Sequence, residues 1–146
     1  MMIRLILWSG LALGVVASSL GVPPDWESSI QGEDPIEVNI AWLTSLDYKP
    51  GMKLPEEILA LDGKKIQLVG YMAIGTLEGS ESFELVPESC ECGRSKVQHF
   101  IDVTMTDDVS RFTPGRITLV GTFSVGEVKE DGFVTSLYRL EIERLP

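Results

Sequence analysis

The chain has 146 residues, 44% of them apolar, with 12 basic residues against 22 acidic ones and a formal net charge of −10. That length and composition suit one globular domain with its own core. So acidic a chain repels phosphate backbones, which argues against nucleic acid as a partner.

The opening, "MMIRLILWSGLALGVVASSLG", has one arginine, Arg4, an apolar run from Leu5 to Ala17, and then small residues. This is the layout of a secretory signal peptide, because the apolar run is short and no basic stop-transfer flank follows it. We expect a leader over residues 1–19, cut after Ala17 or Ser19, and a periplasmic or secreted protein. The alternative is a leader that stays uncut and anchors the chain in the membrane, its only membrane contact. No cysteine follows the apolar run directly, so a lipid on a mature N-terminal Cys is not expected. Export puts the two cysteines where disulfides persist.

"VPPDWESSIQGEDPIE" mixes Pro, Gly, Ser and acids and reads as a flexible linker, residues 20–37, ahead of a single domain over 38–146. In "VNIAWLTSL" the residues Ile40, Leu43 and Leu46 recur at a spacing of three, which predicts a short helix. Pro55 followed by Glu56 and Glu57 predicts a second helical turn, with proline at its start and acids at its positive end.

Strands follow from Asp62. "DGKKIQLVGYMAIG" alternates Ile66, Leu68, Gly70, Met72 and Ile74 against Gln67, Val69, Tyr71 and Ala73, and the mid-strand Gly70 suggests a bend or bulge. "SFELVPES", ended by Pro87, is a second strand. "HFIDVTM" is a third, with Ile101, Val103 and Met105 inward. "TDDVSRFTPG" allows a helical turn begun at Thr106 or Asp107. "RITLVGTFSVGEV" puts Ile117, Leu119, Gly121 and Phe123 on one face. "KEDG" is a hairpin turn, and "FVTSLYRLEIERL" closes with Tyr138, Leu140 and Ile142 alternating against Arg139, Glu141 and Glu143. The expected fold is mainly β, a small five-stranded barrel of the oligonucleotide/oligosaccharide-binding (OB) type with a short helical N-terminal segment; a small β-sandwich is the alternative.

Four stretches, "IAWLTSL", "LPEEILALDGKKIQLVGYM", the cysteine loop before "FIDVTM", and "ITLVGTF", resemble a family of small exported bacterial proteins of unknown function. The likeness runs from Ile40 to Phe123 and is most specific in "LDGKKIQLVGYM". It implies an exported, barrel-like protein, in some cases encoded near transport systems, with no established reaction. Relatives often follow Gly-Tyr-Met with Pro and carry a loop rich in Pro and Asn. Here Ala73-Ile74 and "CECGRSKVQ" stand instead, so loop preferences need not carry over.

Cys90 and Cys92 are the only cysteines. A bridge between them closes a very small ring, which removes little chain entropy and strains the bond, so it suits a local clamp or a reducible switch. The second reading is a metal site. Cys90, Cys92 and His99, helped by Glu88 or Glu91, make a reasonable zinc set, and copper is conceivable if Met72 or Met105 adds a thioether. Against this, both methionines sit in apolar strand patterns that suit the core. Inert free thiols are the third reading.

The carboxylates Glu78, Glu81, Glu127, Glu130 and Asp131 scatter over turns and edges and read as solvated surface rather than a catalytic pair. Asp107 and Asp108 more simply begin a helical turn than touch a cation. No serine elbow, supported histidine or phosphate loop can be read. Trp42 and Tyr71, with Met72, are candidates to line a groove; the competing reading makes the aromatics barrel plugs. The expectation is therefore an exported binding or adaptor module without catalysis, with a cell-envelope protein partner and a role beside a transport system. The alternative is a metal-handling or thiol-redox protein centred on Cys90, Cys92 and His99.

Overall fold

A computed structural model describes residues 34–89 and 96–146. The expected leader, the linker as far as residue 33, and Cys90, Glu91 and Cys92 lie outside the described residues. The elements are β1 (Ile36–Val38), α1 (Ile40–Thr44), α2 (Glu56–Leu59), β2 (Lys65–Met72), β3 (Ser82–Val86), β4 (Ile101–Met105), β5 (Arg116–Glu130) and β6 (Phe133–Ile142).

Both helices form where spacing and capping predict. Asn39 caps α1 by accepting a 2.9 Å hydrogen bond from the Ala41 amide, and Ile40 and Leu43 turn to the core. The hydroxyls of Thr44 and Ser45 donate back to Ile40 O at 3.0 Å and Trp42 O at 2.7 Å, and the helix stops there. In α2, Glu56 and Glu57 sit in the first turn, Pro55 caps it, and Ile58 is buried.

The strands follow the period of two. Ile66, Leu68 and Met72 of β2, Phe83 and Leu85 of β3, Ile101, Val103 and Met105 of β4, Ile117, Leu119 and Phe123 of β5, and Tyr138, Leu140 and Ile142 of β6 all turn into one core. Within it the rings of Phe123 and Tyr138 stack with centroids 5.9 Å apart. The β5–β6 turn has only two residues between the paired Glu130 and Phe133; Asp131 and Gly132 take φ of 50° and 84°, the two left-handed positions that a tight hairpin requires.

Hydrogen-bonded neighbours run β1-β2-β3-β4-β6-β5, and β5 also pairs with β2. The pairs β1–β2 and β4–β6 are parallel and the others antiparallel. Taken without β1, the pairings close a five-strand ring with the connectivity of an OB-type barrel. It is not a clean barrel, because β2 and β3 meet only at Tyr71↔Val86 and Met72↔Leu85 while β1 pairs with Ile66, Gln67 and Leu68. The result is a six-stranded mixed sheet folded on itself, consistent with the small sandwich as well.

Close backbone approach explains both mid-strand glycines. A Cβ on Gly121 would lie 2.1 Å from the Glu141 carbonyl oxygen, and one on Gly70 2.8 Å from that of Val86. The register irregularity of β5 lies further on, between Val125 and Lys129.

Three features depart from the sequence expectation. The strand β1 is a sixth strand, in the stretch read as the end of the linker. Ile74 is exposed, because β2 ends at Met72 and the chain turns at Gly75, φ 92°. No helical turn forms over 106–115, because the amides of Thr106 and Asp107 donate to Ile142 O and Glu143 O and tie this segment to the end of β6.

Candidate functional site

The face of the sheet opposite the core carries the site. Alternation sends Ser82 and Glu84 of β3, Asp102 of β4 and Arg139 of β6 outward. Register then lines them up, Glu84↔Asp102 and Asp102↔Arg139. Directly opposed side chains on an antiparallel pair have Cβ atoms about 5 Å apart, so two carboxylates stand side by side with a guanidinium beyond them. Burial pushes the Asp102 carboxyl up from its usual range; the Arg139 charge opposes that shift and Glu130 adds to it.

Two walls turn this face into a cleft of about 420 Å³. One is the β2–β3 loop, with Gly75, Thr76, Leu77 and Ser80. The other is the β5–β6 hairpin, with Val128, Glu130 and Thr135; Phe100 also lines the cleft. A concave site of this size with convergent polar groups is a default binding-site hypothesis.

Side-chain bonds hold both walls. Ser110, fully buried, accepts from the Ser80 amide at 3.1 Å and donates its hydroxyl to Leu77 O, while its backbone amide donates to Ser80 O at 2.7 Å. Nearby, Glu78 accepts from the Phe112 amide at 2.8 Å. These bonds strap the β2–β3 loop to residues 106–115. On the hairpin side, Arg139 Nη1 donates to Gly126 O at 3.0 Å.

The neighbouring Glu127 accepts from the Tyr48 hydroxyl and, at 2.6 Å, from the Gly51 amide, with Lys129 Nζ 3.0 Å away. The bond from Tyr48, then those from Gly51 and Lys129, pull the Glu127 carboxyl down to about 2. Burial, followed by the bond to Glu127, pushes the Tyr48 phenol up to about 12. Sequence reading took Glu127 for solvated surface, but it anchors the segment after α1 to the irregular part of β5.

Among the described residues, those singled out from sequence are dispersed. Glu88 is exposed beyond β3. His99 is half-buried just before β4; its amide donates to Lys96 O at 2.9 Å, and its buried Nδ1 has no hydrogen-bond partner among the described residues. Among those residues no group of three or more His, Cys, Asp or Glu could hold a metal; the cysteines lie outside them. Trp42 is 45% exposed on α1 rather than plugging the interior. Tyr71 is half-buried on the outer face of β2, whereas Met72 faces the core, so strand alternation keeps Met72 out of any groove lined by Tyr71. Met72 and Met105 both pack in the core, as their strand patterns predict.

Glu84, Asp102 and Arg139 were the residues missed. Their outward parity is legible in the sequence, but their adjacency depends on the pairing of β3 with β4 and of β4 with β6. No local signal carries that register.

The geometry is that of a small mainly β domain with a polar cleft on its outer sheet face. No family model matches the chain, and no curated protein does. Among solved structures it is similar to a DUF3299 family protein from Pseudomonas aeruginosa, with 22% sequence identity and a TM-score of 0.49 over 75% of this chain and 93% of that one.

Proposed function

We propose that the protein is an exported, non-catalytic binding module of the cell envelope whose ligand seats in the cleft over Glu84, Asp102 and Arg139. The observation that carries this reading is the row of three charged side chains brought into register between two loops, each tied to another part of the chain, the β2–β3 loop through Ser110 and the β5–β6 hairpin through Glu127 with Tyr48 and Gly51. Fixed walls around convergent polar groups lower the ordering cost of binding. An apolar leader supports export, and a place beside a transport system is the finer form of the proposal.

A second reading has its own observation. The buried Nδ1 of His99, which has no hydrogen-bond partner among the described residues and follows the cysteine loop in sequence, suits a ligand of zinc or copper held with Cys90 and Cys92.

The test compares wild type with Ser82→Arg, which fills the cleft from an exposed position, and with the Cys90→Ser, Cys92→Ser double variant. Each is immobilised and exposed to envelope extract. Loss of bound material with Ser82→Arg and retention with the double variant is the expected result. The reverse pattern, with stoichiometric metal on wild type that vanishes in the double variant, moves the function to the cysteine loop.

A further inference from the structure

The cleft lies between the second and third strands of the five-strand ring, β3 and β4, the loop between the ring's first two strands, β2–β3, and the loop between its last two, β5–β6. Barrels of this connectivity use that strand face and those two loops to bind oligonucleotides and oligosaccharides. Fold analogy narrows the field to these two classes and no further; the side chains choose between them.

Charge removes the polyanions. Among the described residues that line the cleft, Glu84, Asp102 and Glu130 are acidic and Arg139 is basic, on a chain of net charge −10. Phosphodiester chains and sulfated or uronate-rich glycans meet a repelling field there. An extended peptide docking by strand addition meets another obstacle. Ser136, Leu137 and Tyr138 of β6, beside the cleft, are at most 4% exposed, so their backbone offers no open edge.

The remaining chemistry matches sugar hydroxyls, which donate and accept at once. The carboxylates of Glu84 and Asp102 only accept, and the guanidinium of Arg139 only donates. Of its five N–H groups, one bonds Gly126 O among the described residues. Thr76 and Ser82 add hydroxyls, and half-buried Phe100 adds to the lining an aromatic side chain, the kind that packs on the C–H face of a sugar ring. We infer that the ligand of this cleft is a short oligosaccharide, neutral or bearing amino groups; the inference rests on the binding reading above and names the ligand class for that site.

The test uses isotope-labelled protein, purified in the form the cell produces, and three glucosamine-based tetrasaccharides: fully N-acetylated, fully deacetylated, and heparin-derived. Backbone amide shifts are followed by NMR at low salt and mildly acidic pH. The neutral and cationic sugars are expected to move the amides of Glu84, Asp102 and Arg139 saturably, the cationic one binding tighter, and the heparin fragment to leave them in place. Asp102→Asn should weaken the cationic sugar about fivefold, the scale of one solvent-screened ion pair, with a smaller effect on the neutral one. Phe100→Ala should weaken both.

Equal or tighter binding of the heparin fragment overturns the inference. So does the absence of cleft shifts with both other sugars at millimolar concentration. A lysine-rich peptide that moves the cleft amides where the sugars do not would overturn the ligand class and leave the binding reading standing. If Ser82→Arg still retains its bound material in the capture experiment, the binding reading itself fails.

Discussion

The hydroxyl of Tyr138 donates a 3.1 Å hydrogen bond to the backbone carbonyl of Leu43, joining β6 to α1 through the centre of the core. Both residues are fully buried, and Leu43 O is among the C-terminal carbonyls of a five-residue helix, a group that must find a partner away from water. Tyr138→Phe keeps the stack on Phe123 and removes only this bond. It should lower unfolding free energy by about 1–2 kcal/mol, read from urea denaturation. Burial holds the Tyr138 phenol at about 12. A folded value above the ordinary 10 means that this contribution is complete below pH 10 and lost as pH rises toward 12, so the alkaline limb should also flatten in the variant.

Gly121→Ala should be among the most damaging single-methyl changes in the domain. The added Cβ would meet the Glu141 carbonyl at 2.1 Å and the Ile142 side chain at 2.8 Å, and backbone cannot step aside as a side-chain end can. Overpacking of this kind costs about 1–3 kcal/mol or more. Gly70→Ala, whose nearest contact is 2.8 Å, should cost less. Equal thermal midpoints for the two variants would show that the approach of β5 to β6 is looser than described.

Acid should release the anchor at Glu127. Its folded value of about 2 lies below the ordinary 4.5, so its contribution is present above pH 4.5 and is lost as pH falls from there toward 2. Glu127→Gln and Tyr48→Phe should each flatten the acid limb of stability against pH, and the double variant should add little to either single change. An unchanged acid limb in both would contradict the anchor.

Ser110 ties the β2–β3 wall of the cleft. Removing its hydroxyl leaves Leu77 O and the Ser80 amide without that partner, a loss of about 1–3 kcal/mol where such groups stay buried. Ser110→Ala should therefore speed amide hydrogen exchange at residues 77–80 more than in β4 or β6. Uniform acceleration across the sheet would mean that Ser110 supports the fold as a whole and not the wall.

Much of the fold was legible because alternation and turn chemistry agree along most of the chain. The run Ile66-Leu68-Gly70-Met72 and the Glu130-Asp131-Gly132-Phe133 turn each have one physical solution as strand and hairpin. What was not legible depends on partners distant in sequence. β1 is three residues long in an acidic, proline-bearing stretch and exists because the edge of β2 accepts it. Asp108 looked like a helix starter. Its carboxylate instead accepts from the Val109 amide at 2.9 Å and the Leu145 amide at 3.3 Å and pairs with Arg111 at 3.0 Å, so it closes a loop against the C-terminal segment. The cleft was hidden for the same reason, since Asp102 and Arg139 are neighbours only through a parallel pairing across 37 positions of sequence.

The central claim is that the outer face of β3, β4 and β6 is where this protein meets its ligand. The most direct measurement places a photoreactive side chain at Ser82, inside the cleft, and in a second protein at Thr118, on the outward face of β5 away from it, with irradiation in intact cells. The account predicts a discrete adduct from position 82 and none from position 118. An adduct from position 118 alone, or the same adducts from both, would contradict it.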